Sequence, residues 1–460
     1  MDSRTDEAVD KEKERLEAVS GLVHALSDTL EAGDTDGIRQ LTADVRAPDL
    51  AEAIELLPQE QRVELIQNLG EDFDFDVFSE LDETVRDDLS EELPNELLAK
   101  AATELDSDDA AYLLENLEES DRQEIFEQIP YEERAALERN FEYGDETAGR
   151  LMQSDYVAVA PFWSVGRVID YMRESDELPD TFSEIFVVDP AFKVLGEVQL
   201  SRLLRTKRHV SVEEIMNPDL HPVRATEDQE EVARQFRKYD LMTAPVVDEN
   251  DRLVGVVTVD DVVDVIQEEA EEDMLALAGV GDETLADSVY WTVRSRAPWL
   301  IVNLGTAILA SLVIQMFDAT IAQMVSLAVL MPIVASMGGN AATQTMTVTV
   351  RALALNKLSR VNASKVITRE TLVGIANGLI LSGITAAVAF FWFGSGPLAI
   401  VIATAMIVNL LVAAVAGILI PIAIDWFNLD PAPSSGVFVT TVTDVIGFFA
   451  FLGLASIWLL

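Results

Sequence analysis

The chain has no cysteine, which excludes disulfides and thiolate metal sites. Its histidines, His24, His209 and His221, are scattered, and no nucleophile–base constellation accompanies them, so nothing points to an enzyme. No GxxxxGKS/T phosphate loop occurs, so nothing points to ATP hydrolysis. Basic residues are scarce: 32 Lys and Arg stand against 81 Asp and Glu, and only 8 of the 32 are Lys. That balance argues against a nucleic acid partner, whose phosphates would be repelled. Low lysine beside excess acid also resembles a salt-adapted proteome, so bulk charge alone is weak evidence for a metal sensor. Charge of either sign is scarce in the last third. Residues 1–290 carry 25 basic and 76 acidic residues, a net of −51, whereas residues 291–460 carry 7 and 5, a net of +2. A soluble acidic part therefore precedes a membrane part. Met1 to Arg15 is polar and acid-rich with no apolar segment behind it, so no signal peptide is expected.

Five spans can be drawn, at about 298–317, 321–350, 371–393, 397–424 and 433–460. Pro298 to Phe317 is 20 uncharged residues, enough for about 30 Å of helix. The second run is interrupted by Pro332 and by Gly338-Gly339-Asn340. The uncharged stretch from Thr371 to Ile424 is too long for one helix, and Gly394-Ser395-Gly396-Pro397 is its natural turn. Arg294 and Arg296 precede the first span, and Arg351, Lys357, Arg360, Lys365 and Arg369 fill the second connection. By the positive-inside rule the large domain faces the cytoplasm and the C-terminus lies outside. The fourth connection, Asp425 to Pro433, is cytoplasmic but acidic.

Asp444 is the most informative residue. A carboxylate in mid-span costs about 2.5–3.5 kcal/mol and persists only where water, a cation or a partner meets it. Thr440 shares its helix face. A cation site in a pore is the functional reading, and an interhelical hydrogen bond is the alternative. Asn340 and Gln344, four apart, would share one face behind Gly338-Gly339, whose small residues permit a broken or closely packed backbone. Their amides suit the waters of a hydrated ion or a bond between helices.

In the soluble part, Leu57-Pro58, Leu93-Pro94 and Ile129-Pro130 recur at a spacing of 36. Leu69 matches Leu105, Phe78 matches Leu114, and Leu81 matches Leu117. Apolar residues between acidic turns predict stacked short amphipathic helices, with the prolines at helix N1. Residues 150–270 change to β-branched runs, in two similar halves with a period of about 64 from Met152 to Met216. Ile185-Phe186-Val187-Val188-Asp189 in the first half answers Ala244-Pro245-Val246-Val247-Asp248 in the second. These halves resemble a tandem pair of CBS domains, which fold as βαββα units and often bind adenine nucleotides. Gly255 to Asp261 resembles the ribose and phosphate motif of such domains, with Thr258 and Asp261 as its polar residues. The first half has Gln199 and Arg202 in those places, so the pattern suits one nucleotide site, for ATP or another adenine nucleotide. An acidic helix follows, Val262 to Val280, whose like charges would be relieved by a hard divalent cation. Cation bound and closed, cation absent and open, is the switch it offers.

The order of parts then resembles the MgtE family of magnesium channels over almost the whole chain. The specific pieces are Glu146-Thr147-Ala148-Gly149-Arg150-Leu151-Met152, Gly338-Gly339-Asn340-Ala341-Ala342-Thr343-Gln344, Asp260-Asp261-Val262-Val263-Asp264 with Glu272-Asp273, and Thr440-Thr441-Val442-Thr443-Asp444. The resemblance implies a multidomain membrane protein: an all-α helical-repeat domain (1–145), α/β tandem CBS domains (146–210 and 211–262), an acidic connecting or plug helix (263–290) and a five-helix transmembrane bundle (291–460). It implies a homodimer in the cell membrane, with hydrated Mg²⁺ held by Asp444 at the two-fold axis and Asn340, Gln344 and Thr440 along the path. It further implies Mg²⁺ sensing by Asp228, Glu230, Asp240, Asp261, Asp264, Glu269, Glu272 and Asp273, with Asp430 facing the plug helix and Asp108 and Asp109 contributing from the repeat domain. A carrier for another divalent cation, a proton-coupled carrier with Asp444 as relay, and a nucleotide sensor without transport are the rival functions.

Overall fold

The computed structural model describes residues 2–175, 178 and 179, 181–281, 289–355, 357 and 358, 362–427 and 429–459. Arg360 of the basic connection, residues 282–288 of the connecting segment and the last residue of the fifth span lie outside them. The chain divides into two units, Met1–Glu269 and Ala270–Leu460.

The first unit opens with a long helix, Asp2–Glu31, followed by the repeat. Helices begin at Ala47, Glu83 and Glu119, and again at Gln59, Asn95 and Tyr131, so both series keep the 36-residue spacing. Pro58, Pro94 and Pro130 stand one position earlier than expected, at the N-cap rather than at N1. Their carbonyls accept the first helical hydrogen bonds, from Arg62, Leu98 and Arg134. A fixed φ near −60° suits the half-in position as well as the first turn. The matched apolar residues Leu57, Leu93, Ile129, Leu69, Leu105, Phe78, Leu114, Leu81 and Leu117 all enter one core. Phe73, Phe75 and Phe78 cluster within it.

Two three-stranded sheets follow. Strands β1 (Ala158–Val159), β2 (Glu184–Val188) and β3 (Val194–Gln199) form one; β4 (Val223–Arg224), β5 (Thr243–Val247) and β6 (Leu253–Thr258) form the other. In each, the first pair is parallel and the second antiparallel, with a register shift at the same place. That is the βαββα pattern twice. The packing crosses the boundaries expected from the chain order, 146–210 and 211–262. Ala148, Leu151 and Met152 enter the core of the second half, and Val212 and Ile215 enter that of the first. Backbone bridges repeat the exchange, Gln153 with Val256 and Asn217 with Glu197. Each half thus closes the other's sheet, which a reading by sequence period cannot separate. Gly149 is needed there: a Cβ would lie 2.3 Å from the Tyr143 ring and 2.8 Å from the Ala225 carbonyl. The neighbouring Arg150 is buried, pairs with Glu115 at 3.1 Å and covers the Phe141 ring at 4.3 Å, fastening the repeat domain to the CBS pair.

The acidic helix runs Val259–Leu277, starting earlier and ending sooner than 263–290 because it is also the closing helix of the second CBS half. Among the described residues of the second unit five helices are long and apolar enough to cross a membrane: Val289–Met316, Ser326–Ala354, Ala363–Phe393, Gly396–Trp426 and Pro431–Trp458. A short helix, Asp318–Gln323, precedes the second span. Pro332 and Gly338-Gly339 do not interrupt that span, which is one continuous helix. The third begins eight residues before Thr371, so its first two turns carry charge. The fourth is central, packed on the second, third and fifth, and the first leans on the fifth. Asn409 of the fourth span is fully buried and donates to the Val334 carbonyl at 2.8 Å. It fits because Gly338 and Gly447 have no side chain; a Cβ would come within 2.2 and 2.8 Å of its Nδ2. The glycines are there for close approach. Gly338→Val is therefore expected to lower the melting temperature of the detergent-solubilised protein by several degrees, whereas Gly339→Val, facing open space, is expected to change it far less, both read by thermal-shift chromatography.

Candidate ion pathway and acidic sensor

The fifth span starts where Asp430 caps it, the carboxylate accepting from the Ala432 amide at 2.8 Å with Pro431 at the first helical position. Further along, Thr440 donates to the Gly436 carbonyl at 2.9 Å and Thr443 to the Thr440 carbonyl at 2.9 Å. Their hydrogens are thus spent inside the helix, and their hydroxyl oxygens keep lone pairs for a water or an ion. Asp444 is half-buried and has no hydrogen-bond or ion-pair partner among the described residues. The interhelical bond considered as its alternative role is not made among the described residues. Asn340 and Gln344 are exposed on the second span, which packs against the fifth. Gln344 lines a cleft that also holds Glu370 of the third span. Sequence reading passed over Glu370 because the span was started one residue after it; a lone acid among five basic residues was the available signal.

The carboxylates of the soluble part fall into separate groups. Asp108 and Asp109, in the first turn of Ser107–Leu114, meet Asp261, in the first turn of the acidic helix, with Asp106 beside them. Asp108 is 2 % exposed and one of its oxygens has no partner. Burial pushes its carboxyl well above the usual range, and Asp261 and Asp109 push it further. Burial, with Asp261 and Asp106, brings Asp109 up to about 7; Asp261, buried and beside Asp260 and Asp106, also stands at about 7. Asp261 accepts from the Thr258 hydroxyl and from Gln153 at 3.3 Å, so both candidate nucleotide residues are joined to this acidic group. Asp264 is raised, chiefly by burial, and acts in turn on Glu80. Glu268 is raised by burial and steadied by Arg86. Glu269 accepts from Gln229 at 3.0 Å.

Asp228 and Asp240 cap opposite ends of the helix Gln229–Tyr239. The 11 residues of that helix hold them about 18 Å apart at about 1.5 Å per residue step, so they cannot share an ion within one chain. Asp228 accepts from the Glu230 amide at 3.0 Å, and Glu230 pairs with Arg234 at 3.2 Å. In the second unit, Asp273 is raised by burial and by Asp430. Beyond it, Ala276 and Leu277 pack on Ala342, Met346, Val350, Ala432 and Val439 of the second and fifth spans. Glu272 immediately precedes Asp273 on the same helix. Among the described residues no three His, Asp or Glu side chains converge as a ready metal cage. Paired carboxylates with an unsatisfied buried oxygen suit a divalent cation that keeps part of its water.

Three family models match in order: the MgtE intracellular N domain over 45–146, CBS domains over 148–208 and 212–268, and the MgtE divalent cation transporter over 331–454. The magnesium transporter MgtE of Thermus thermophilus is 34% identical over 331 residues, 71% of this chain and 73% of that one. Its namesake from Bacillus subtilis is 31% identical over 325 residues, 70% and 72% of the two chains. The chain belongs to the MgtE family. It is a multi-pass membrane protein of a transporter family, not an enzyme. A crystal structure of the cytosolic domain of the Mg²⁺ channel MgtE in complex with ATP matches 53% of the chain and 99% of that domain, with a TM-score of 0.50 and 33% identity.

The raised carboxyls of this MgtE chain set a pH dependence. Asp109 and Asp261 titrate at about 7 when folded, against 3.8 ordinarily. Between those values the folded state binds more protons than the unfolded one, so stability falls as pH rises from about 4 to 7. A divalent cation would replace the protons. In chelator, amide exchange in the helix Ser107–Leu114 is therefore expected to speed up from pH 5 to pH 8 beyond the intrinsic chemical rate, and Mg²⁺ at pH 8 is expected to restore protection.

Proposed function

We propose that the protein is a homodimeric magnesium channel that lets Mg²⁺ enter the cell down its electrochemical gradient and closes when cytoplasmic Mg²⁺ binds its acidic domain. The observation that carries this reading is Asp444, a half-buried carboxylate in an apolar span with no partner among the described residues. Two such carboxylates across a two-fold axis, with Thr440, Asn340 and Gln344, would hold an ion through its waters, as suits Mg²⁺. Two charges moving down 100 mV gain about 4.6 kcal/mol, at roughly 2.3 per charge, so no other energy source is needed. The basic second connection supports a cytoplasmic soluble part and an external C-terminus.

The gate follows from the acidic helix. One end carries Asp261 and Asp264 within the soluble unit; the other packs on the second and fifth spans beside Asp430. Mg²⁺ shared among Asp108, Asp109 and Asp261, and between Asp273 and Asp430, would hold the helix in place; its loss would let like charges part. Asp228, Glu230, Asp240, Glu269 and Glu272 supply further carboxylates, those at the ends of Gln229–Tyr239 toward separate ions. The CBS pair would take ATP or another adenine nucleotide, as the ATP-bound relative supports, with Thr258 at the ribose.

Asp444→Ala is expected to abolish Mg²⁺ flux into liposomes while the protein still runs as a single folded species; undiminished flux would remove the pore assignment. Neutralising Asp264, Glu269 and Glu272 together is expected to leave the channel open at high Mg²⁺, seen as current in excised patches that no longer declines. Flux that tracks the pH gradient instead of the Mg²⁺ gradient would favour the proton-coupled reading of Asp444.

A further inference from the structure

We propose that Glu370, with the amides of Gln344 and Asn377, holds a hydrated divalent cation in the cleft between the second and third spans, a subsite separate from Asp444. The proposal rests on the transport reading above, to which it adds a second station for the same ion.

The cleft measures about 180 Å³ and is lined by Gln344 and Thr345, by Glu370, Gly374 and Asn377, and by Leu410 of the fourth span. Glu370 and Asn377, seven residues apart, lie on one face of the third span. The floor exists because Gly374 lets the third and fourth spans touch: a Cβ there would stand 2.6 Å from that of Ala414. The Glu370 side chain is 13% exposed, and its one ion pair among the described residues is a loose 3.8 Å contact to Arg369, which is 75% exposed. An exposed, adjacent guanidinium at that distance offsets little of the cost of burying a carboxylate. Arg369 and Lys365 line a different cleft, with Ser364, Thr368 and Leu372. The anion therefore faces a small chamber of mostly apolar lining whose other polar side chains are Gln344, Thr345 and Asn377, and among the described residues it has no strong counter-ion.

That chemistry selects a cation, and a hard one, because every available ligand is oxygen. Six waters at about 30 Å³ each fill about the volume of the cleft. Magnesium keeps its water, so one carboxylate and two amides acting through that shell are enough to hold it.

The test uses the full chain in liposomes, with Mg²⁺ on the sensor side kept low. Flux is measured against Mg²⁺ concentration, and its block is measured with hexaamminecobalt(III), an exchange-inert mimic of the hydrated ion. Glu370→Gln is expected to raise the half-saturating Mg²⁺ concentration and weaken the block, each by about tenfold, while maximal flux stays within about twofold and Glu370→Asp recovers most of the affinity. Asn377→Leu, which keeps the carboxylate, is expected to shift both in the same direction by less, and carries the test if Glu370→Gln does not fold. Unchanged half-saturation and block in whichever of these variants fold would overturn the subsite, as would a loss confined to maximal flux. Asp444→Asn is run alongside. If it still conducts, the Asp444 pore reading fails, while the Glu370 shifts are read independently of it.

Discussion

A negative charge inside hydrocarbon is the constraint on which the rest of this molecule turns. Water gives up a carboxylate only at a cost of several kcal/mol, and among the described residues Asp444 has no partner to recover it. Its helix has already committed the nearby threonine protons to its own carbonyls. In the function proposed here a hydrated cation, on a path shared with a second subunit, would meet Asp444 with the right sign and with water. The close-packed scaffold serves that placement. Asn409 seats between Gly338 and Gly447, two residues from Asn340 and three from Asp444. The helices that carry the polar residues are thereby held at a spacing set by backbone rather than by compressible side chains.

The soluble unit applies the same physics in a different solvent. Its carboxylates are abundant, but abundance is not what distinguishes a sensor. Asp108, Asp109 and Asp261 matter because packing of the repeat domain on the CBS pair brings them together out of water, where their repulsion is felt strongly. A cation bound there would stabilise one packing of the acidic helix. That helix is continuous from Val259 to Leu277, and Leu277 packs on residues of the second and fifth spans; in the proposed gate it would carry a change in cation occupancy toward the spans. Coupling of this kind needs no long chain of side-chain rearrangements.

Much of this was legible along the chain. The membrane half shows itself by the absence of charge, because hydrocarbon tolerates almost none. The helical repeat shows itself by a 36-residue spacing that survives into both series of helix starts, because each repeat must bury the same face. Asp444 stands out for the same reason that it is costly. Less legible were features made by approach between distant segments. Asp108 and Asp109 are ordinary acids in an acidic stretch until Asp261 is packed against them. Glu370 looked like the edge of a polar loop until the third helix was seen to begin at Ala363.

The amino-acid sequence by itself determined which segments cross the membrane, which repeat, where the βαββα halves lie and which carboxylate is out of place, since these follow from periodicity and from transfer free energies that are local to each residue. The tertiary structure alone decided that each CBS half closes the other's sheet, that Gly338 serves close packing rather than a break, and which acids lie beside one another. Those outcomes depend on distances between residues far apart in the chain, and a one-dimensional pattern carries no such distances.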